Sequence, residues 1–303
     1  MGLLDGKVAI VTGAGRGLGR SHALLLAAEG AAVVVNDLGG EWDGSGADTR
    51  AASEVAEEIK SSGGRAAANF DDIADWEGAQ RMINQAVEEF GGLDALVCNA
   101  GFVRDRTVFN MSESEWDDVV RVHMKGHFVP TRWATAYWRE KFKETDKPVG
   151  GRIVYTASEA GLYGNAGQPN YSAAKAGIAA LGITVAREVQ RYGVTVNTIN
   201  PRARTRMTVN TFGADRMTPK EGDFDYNDPD NVSPWIAYLC TDAAADITGQ
   251  CFVVGGDMVQ LMEGWKPANQ IRKRKDRWTV AELVEARAEL FGDRPTTPRK
   301  FGA

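Results

Sequence analysis

Apolar residues along this 303-residue chain follow two rhythms. Short, β-branched runs alternate with longer stretches in which apolar positions recur every three or four residues, the signatures of buried strands and amphipathic helices. Lys7 to Val11 (KVAIV) is the first run, with a helix to Glu29 behind it, and Ala31 to Asn36 (AAVVVN) is the second. A Gly/Asp-rich loop from Gly39 to Thr49 is longer than most connections in compact units. Beyond it the pattern predicts a helix over Ala51 to Ser62, a strand over Arg65 to Phe70, a helix over Trp76 to Phe90 and a strand over Asp94 to Cys98. One long helical stretch then runs from Ser112 through Trp116, Val119, Val120 and His123 toward Phe142. Gly151 to Thr156 is the fifth strand, followed by a helix with Ile178, Leu181, Val185 and Val189 on one face and Gly193 at its end. Val194 to Asn200 is the sixth strand, and a helix near Ser233 to Thr241 leads to a seventh near Cys251 to Val254. Residues 203–230 lack a clean period and are expected to form a mobile loop with a short helix, of the kind that closes over a site. Strands alternating with helices in this way imply an α/β fold with a doubly wound, seven-stranded parallel sheet covered on both faces.

In such sheets ligands bind beyond the carboxyl ends of the strands, and the chain concentrates chemistry there. After the first strand comes TGAGRGLGR, in which Thr12, Gly13, Gly17 and Gly19 fit T-G-x-x-x-G-x-G and no register fits G-x-G-x-x-G. The glycines let the backbone turn tightly and approach a phosphate, whose charge meets the N-terminus of the following helix. A glycine loop between a strand and an amphipathic helix is the setting of a dinucleotide site, so the sheet is expected to be of Rossmann type. Asp37 ends the second strand, eighteen residues after Gly19. A carboxylate there accepts the hydroxyls of an adenosine ribose and repels a 2′-phosphate, which favours NAD over NADP; Leu38 follows where a phosphate site would prefer a cation. Arg16, inside the glycine loop, is the counter-signal.

Ser158 stands thirteen residues before Tyr171, and Lys175 follows that tyrosine by four. The last two therefore share one face of a helix start. A free Tyr has a pKa near ~10, too high for a base near neutral pH. An ammonium about 4 Å away, at an effective dielectric of ~20, favours the phenolate by roughly 4 kcal/mol, or ~3 pKa units at most. Tyr171 would then exchange a proton with a substrate alcohol or carbonyl while Ser158 holds the same oxygen. Tyr-x-x-x-Lys pairs also arise by chance on many helices; it is the glycine loop, Asp37, Asn99 and Ser158, all at strand ends, that favour the functional reading.

Composition narrows the classes. Net charge is −6 with a pI of about 5.3, which argues against a nucleic-acid partner. No run approaches the ~18 apolar residues of a membrane span. Cys98, Cys240 and Cys251 have neither metal nor redox spacing and read as thiols of a reducing compartment, and no metal site is expected. The start MGLLDGKV has no basic or apolar leader, Gly6 breaks a myristoylation pattern, and KFGA is not a peroxisomal address; a cytoplasmic protein is expected. Asn110 and Asn231 match glycosylation acceptors only by chance. Residues 1–262 are expected to form one domain, with 263–303 a C-terminal extension packed on it that carries a basic run including Arg272, Lys273, Arg274 and Lys275.

The combination of Thr12-Gly13-x-x-x-Gly17-x-Gly19, Asn99-Ala100-Gly101 and Ser158…Tyr171-x-x-x-Lys175 resembles the short-chain dehydrogenases/reductases across nearly the whole chain. VVVNDLGG (33–40), VRDR (103–106), RVHMKG (121–126), YGNAGQPNYSAAK (163–175) and RMT (206–208) resemble more closely the (3R)-hydroxyacyl-CoA dehydrogenase domain of peroxisomal multifunctional enzymes and their hydroxysteroid-dehydrogenase relatives. The resemblance implies hydride transfer between NAD and a secondary alcohol or its ketone, with a 3-hydroxyacyl thioester as substrate and a hydroxysteroid as the alternative. It makes Tyr171 the general acid/base, Lys175 the residue that lowers its pKa and holds the nicotinamide ribose, and Ser158 the group that polarises the substrate oxygen. It implies cofactor contacts from Thr12, Gly13, Arg16, Gly17, Leu18, Gly19, Asp37, Leu38, Asp72, Asn99, Ala100, Gly101, Tyr171 and Lys175. Ile199 and Thr205 would flank the carboxamide, and the chain would form a homodimer or homotetramer. Cys98 and Arg202 stand where the family usually has Asn and Gly, and His123 takes the place of its helical Asn, as a proton relay titrating near pH 6.5 or as packing. A nucleotide-sensing protein without catalysis is the reading from another class, which an intact Ser-Tyr-Lys set disfavours.

Overall fold

The computed structural model describes residues 2–46, 48–213, 217–220, 222–273 and 276–297. Arg274, Lys275 and the terminal KFGA lie outside them. The described residues separate into two units, Met1–Met262 and Glu263–Ala303.

The first unit is built on an eight-stranded sheet in the order β3-β2-β1-β4-β5-β6-β7-β8. β1 (Val8–Thr12), β2 (Ala32–Asn36), β3 (Arg65–Asn69), β4 (Ala95–Cys98), β5 (Arg152–Thr156), β6 (Thr195–Pro201) and β7 (Cys251–Gly255) pair in parallel. The expected sheet was seven-stranded and wholly parallel; the structure adds β8 (Met258–Met262), antiparallel to β7 with Gly255 opposite Met258. The two residues between them, Gly256 at φ 56° and Asp257, are a short hairpin link, and the added strand is an edge whose Val259 and Leu261 remain exposed.

β1, β2, β4 and β5 are buried along their whole length, which is why they read as continuous rather than alternating apolar runs. One face is covered by α1 (Gly17–Ala28), α2 (Arg50–Ser61) and a helix over Ser233–Cys240, whose apolar sides join Val11, Val33, Val35 and Val254. The other face packs Ile10, Val34, Leu96 and Ile153 under α3 (Trp76–Phe90), α5 (Gly126–Thr145) and α7 (Pro169–Val189).

The long helix expected from Ser112 is interrupted. α4 (Glu113–Val120), with Ser112 and Glu115 forming a capping box, gives way to a wider π turn over Arg121–Lys125 before α5 begins. A π turn inserts a residue without changing which residue types are apolar, so a 3.6-residue period does not reveal it. Its consequence is local: it turns His123 into the protein at 1% exposure. α6 (Glu159–Tyr163) and α7 follow β5, and α8 (Arg206–Phe212) falls within the segment expected to be a loop with a short helix. The helix over Ser233–Cys240 is α9 in chain order. In the second unit, α10 (Val280–Glu285) begins at a Thr279–Glu282 capping box, α11 (Arg287–Phe291) follows, and Lys273 pairs with Glu282.

Candidate active site

β1 and β4 are neighbours, and their carboxyl ends are tied together. The Thr12 hydroxyl accepts the Asn99 and Ala100 N–H groups at 3.0 and 3.2 Å, and Asn99 Nδ2 donates to the Thr12 and Gly13 carbonyls, each at 3.2 Å. Thr12 and Asn99 thus use their side chains to fix the glycine loop. Two of its glycines have no room for a side chain: a Cβ on Gly13 would stand 2.6 Å from Ala100 Cα, and one on Gly19 would stand 2.1 Å from the Gly13 carbonyl oxygen. Gly13 and Gly17 also adopt positive φ, at 64° and 54°. Backbone is therefore exposed where α1 begins.

A cleft of about 430 Å³ opens over this loop. Gly13, Arg16, Gly17, Leu18, Asp37, Leu38, Asp72, Asn99, Ala100, Gly101 and Thr205 all line it. Asp37 is held before any ligand arrives: Oδ2 accepts the Gly15 N–H at 2.8 Å and Oδ1 that of Gly39 at 2.6 Å. Each carboxylate oxygen keeps a second lone pair for a ribose hydroxyl. Asp72 accepts the Ala74 N–H at 2.8 Å and pairs with Arg121. Bare backbone at a helix start, with a fixed carboxylate at the end of β2, fits a dinucleotide.

Ile199 does not line the cleft. Its side chain is fully buried in the apolar layer under α9, and its carbonyl accepts the Ala157 N–H at 2.7 Å. Alternation along β6 turns it to the core rather than the cleft. Thr205 does reach the cleft, where it caps α8 through reciprocal bonds with Thr208.

The second cluster forms where β5 ends and α7 begins. Ser158 caps α6, accepting the Ala160 N–H at 3.1 Å. Lys175 is buried at 2% exposure and donates to the Thr156 carbonyl at 2.6 Å, with Nζ 5.4 Å from the centre of the Tyr171 ring. Burial draws the Lys175 ammonium down from 10.5 to about 7. Burial pushes the Tyr171 phenol up to about 12; the Ser158 hydrogen bond pulls it down, and the Asp105 carboxylate adds to the rise. The expected depression of Tyr171 by Lys175 is thus not the balance struck here. The ammonium is spent on a backbone carbonyl, and desolvation outweighs charge attraction.

His123 packs edge-on against Tyr171, with ring centres 5.1 Å apart, and its Nε2 lies 2.7 Å from the Phe102 carbonyl. Burial first, then the nearby Lys175, holds its pKa well below 6.5, so it does not titrate as expected near pH 6.5. Gly101 gives it space, since a Cβ there would stand 2.1 Å from His123 Cε1.

Gln168 and Glu41 escaped the sequence reading, and so did the partner of Arg202. Gln168 donates to both oxygens of Asp105, at 3.0 and 2.9 Å, fixing a carboxylate whose charge reaches Tyr171. Arg202, in the family's glycine position, forms a two-point pair with Glu159 at 2.7 Å and so ties the end of β6 to the Ser158 turn. Glu41, in the 39–49 loop, meets Arg16 and Arg206. None of these pairs has a periodic signature, because each joins residues distant in sequence.

Residues 7–215 match the short chain dehydrogenase family. The chain belongs to that family. It is 45% identical over 296 residues to the hydroxyacyl-CoA dehydrogenase ChsB1 of Mycobacterium tuberculosis, covering 96% of this chain and 90% of that protein. The peroxisomal multifunctional enzyme type 2 of Mus musculus is 37% identical over 289 residues, which is 95% of this chain and 37% of the mouse protein. A crystal structure of a short chain dehydrogenase from Mycobacterium avium superposes with a TM-score of 0.87 at 48% identity, covering all of both chains. This short-chain dehydrogenase is accordingly an NAD(P)-dependent oxidoreductase acting on a CH–OH group. Among the described residues no helix is long and apolar enough to cross a membrane, and no group of three or more His, Cys, Asp or Glu side chains is arranged to hold a metal ion.

Proposed function

We propose that this short-chain dehydrogenase interconverts a 3-hydroxyacyl thioester and its 3-keto form with NAD as cofactor. The observation that carries the substrate class is the 45% identity, over almost the whole of both chains, to a hydroxyacyl-CoA dehydrogenase. For the cofactor it is Asp37, fixed by two backbone N–H groups at the ribose end of the cleft.

In this reading the Gly13–Gly19 loop and the first turn of α1 hold the diphosphate, Asp37 the adenosine ribose and Asp72 the edge of the adenine. The nicotinamide supplies the hydride acceptor or donor. Ser158 hydrogen-bonds the substrate oxygen, and Tyr171 gives that oxygen a proton in reduction and takes it in oxidation. A phenol held near 12 is protonated at neutral pH, the form reduction needs. Oxidation needs the phenolate, and Lys175, one turn along α7, is the cation that favours it. His123 stays neutral and positions the Tyr171 ring. The cleft and the Ser-Tyr-Lys cluster belong to residues 1–262; we place the enzyme in the cytoplasm as a homodimer or homotetramer, by analogy with the family.

Turnover with NAD and NADP against a panel of 3-hydroxyacyl-CoA esters and hydroxysteroids tests the proposal. Saturable oxidation of the CoA esters with NAD is the expected result. A steroid that saturates at micromolar levels while every CoA ester stays unsaturable would replace the substrate, and a preference for NADP would replace the cofactor.

A further inference from the structure

Glu41 joins three parts of the chain at one end of the cleft. Its Oε1 lies 3.7 Å from an Arg16 guanidinium nitrogen in the glycine loop. Its Oε2 accepts from Arg206, in the first turn of α8, at 2.9 Å, and Arg206 also donates to the Gly40 carbonyl at 3.3 Å. All three side chains line the cleft together with Asp37 and Leu38.

The cleft is rich in cations for a site that would exclude an additional phosphate. Arg16, Arg104, Arg121 and Arg206 all line it. Each has a carboxylate partner among the described residues: Arg104 pairs with Asp118, Arg121 with Asp72, and Glu41 takes both of the others. Arg16 and Arg206 are the two that share the Asp37 end. A ribose 2′-phosphate would meet the Asp37 charge there, and cations able to offset that repulsion are present but already engaged.

We infer that Glu41 is a second determinant of cofactor choice: it holds Arg16 and Arg206 against the 39–49 loop and so withholds both from a ribose 2′-phosphate. This deepens the NAD reading above and rests on it. The partners are 39% to 54% exposed, so each pair is weak, worth roughly two- to fivefold in an equilibrium. Two such pairs released together correspond to roughly tenfold.

The test is binding, not turnover: dissociation constants of NADH and NADPH from quenching of tryptophan fluorescence, for the wild type and Glu41→Gln. NADPH should bind roughly tenfold tighter to the variant while NADH changes by less than about twofold, and the gain should shrink as salt is raised. In an Arg16→Gln/Arg206→Gln background the same Glu41→Gln change should leave NADPH binding where it was. An unchanged NADPH/NADH ratio overturns the inference. So does a gain that persists without the two arginines, because one lost negative charge would then explain it. Wild-type protein that binds NADPH as tightly as NADH sinks the NAD reading separately, and the shift in the ratio on Glu41→Gln still decides the role of Glu41.

Discussion

Lys175→Met is expected to make the cofactor-free protein more stable while it removes turnover. Lys175 is 2% exposed, and burial lowers its pKa from 10.5 to about 7. At pH 7 a depression of that size corresponds to about 4 kcal/mol of lost stability. The bond to the Thr156 carbonyl disappears with the ammonium; leaving a buried acceptor short of a partner costs about 1–3 kcal/mol. Met reproduces the apolar stem with little change in volume. The net gain is therefore about 2 kcal/mol, or a rise of roughly 5 °C in Tm for a domain of this size. The pH dependence follows from the direction of the shift. Above pH 10.5 the amine is neutral folded and unfolded, and the penalty is absent. Between pH 10.5 and 7 the unfolded chain binds a proton that the folded chain refuses, so wild-type stability falls as pH falls. Below pH 7 both states are charged and the penalty is complete. Urea unfolding of both proteins at pH 6, 8 and 10 without cofactor measures this. A variant no more stable than the wild type at pH 6, or a difference that does not shrink toward pH 10, refutes the reasoning.

Tyr171→Phe should lower kcat by roughly 10²- to 10⁴-fold while the NADH dissociation constant changes far less, because the phenol's main task is the proton and most cofactor contacts lie elsewhere. His123→Asn should keep much of the wild-type turnover, and the pH–rate profile should lose no limb near pH 6.5, since burial holds the imidazole pKa well below 6.5. Gly101→Ala should cost about 1–3 kcal/mol in urea unfolding and weaken NADH binding, because the new methyl group meets the His123 ring at 2.1 Å beside the cleft.

The fold was legible wherever burial is complete. β1, β2, β4 and β5 are buried on both faces, so their apolar runs carry no competing signal, and their ends were placed to within a residue. β8 was missed because it returns antiparallel to β7 across the two-residue Gly256-Asp257 link, whereas the strand–helix alternation along the chain calls only for parallel strands. The π turn was missed for a different reason. Val119, just before it, and His123, within it, are both buried, so the buried stripe continues while the backbone hydrogen bonds change. The resemblance implies that Ile199 flanks the carboxamide, yet the pleat of the strand decides where its side chain points, and that is set by register with β5 and β7.

The site divides along the same line. Glycines and the Ser-Tyr-Lys spacing are local properties; the cleft opens over the glycine loop, and Ser158, Tyr171 and Lys175 gather where β5 ends and α7 begins. Charge balance is not local. Arg16 looked like a free cation in the glycine loop, but Glu41, twenty-five residues on, and Arg206 make it one corner of a three-way pair. Tyr171 looked like an acidified phenol, but the effect of Lys175 depends on what its ammonium faces. Here that is the Thr156 carbonyl, with desolvation acting on both groups at once. Burial pushes a buried acid up and a buried base down, so it brings the proton affinities of Tyr171 and Lys175 into reversed order, about 12 against about 7. In that order the phenol keeps its proton and the lysine is half-charged near neutral pH. Any ligand that brings negative charge or hydrogen-bond acceptors to Lys175 strengthens its ammonium, and the strengthened ammonium in turn favours the Tyr171 phenolate. In the proposed mechanism, cofactor binding at Lys175 and activation of Tyr171 as a base are then one linked equilibrium.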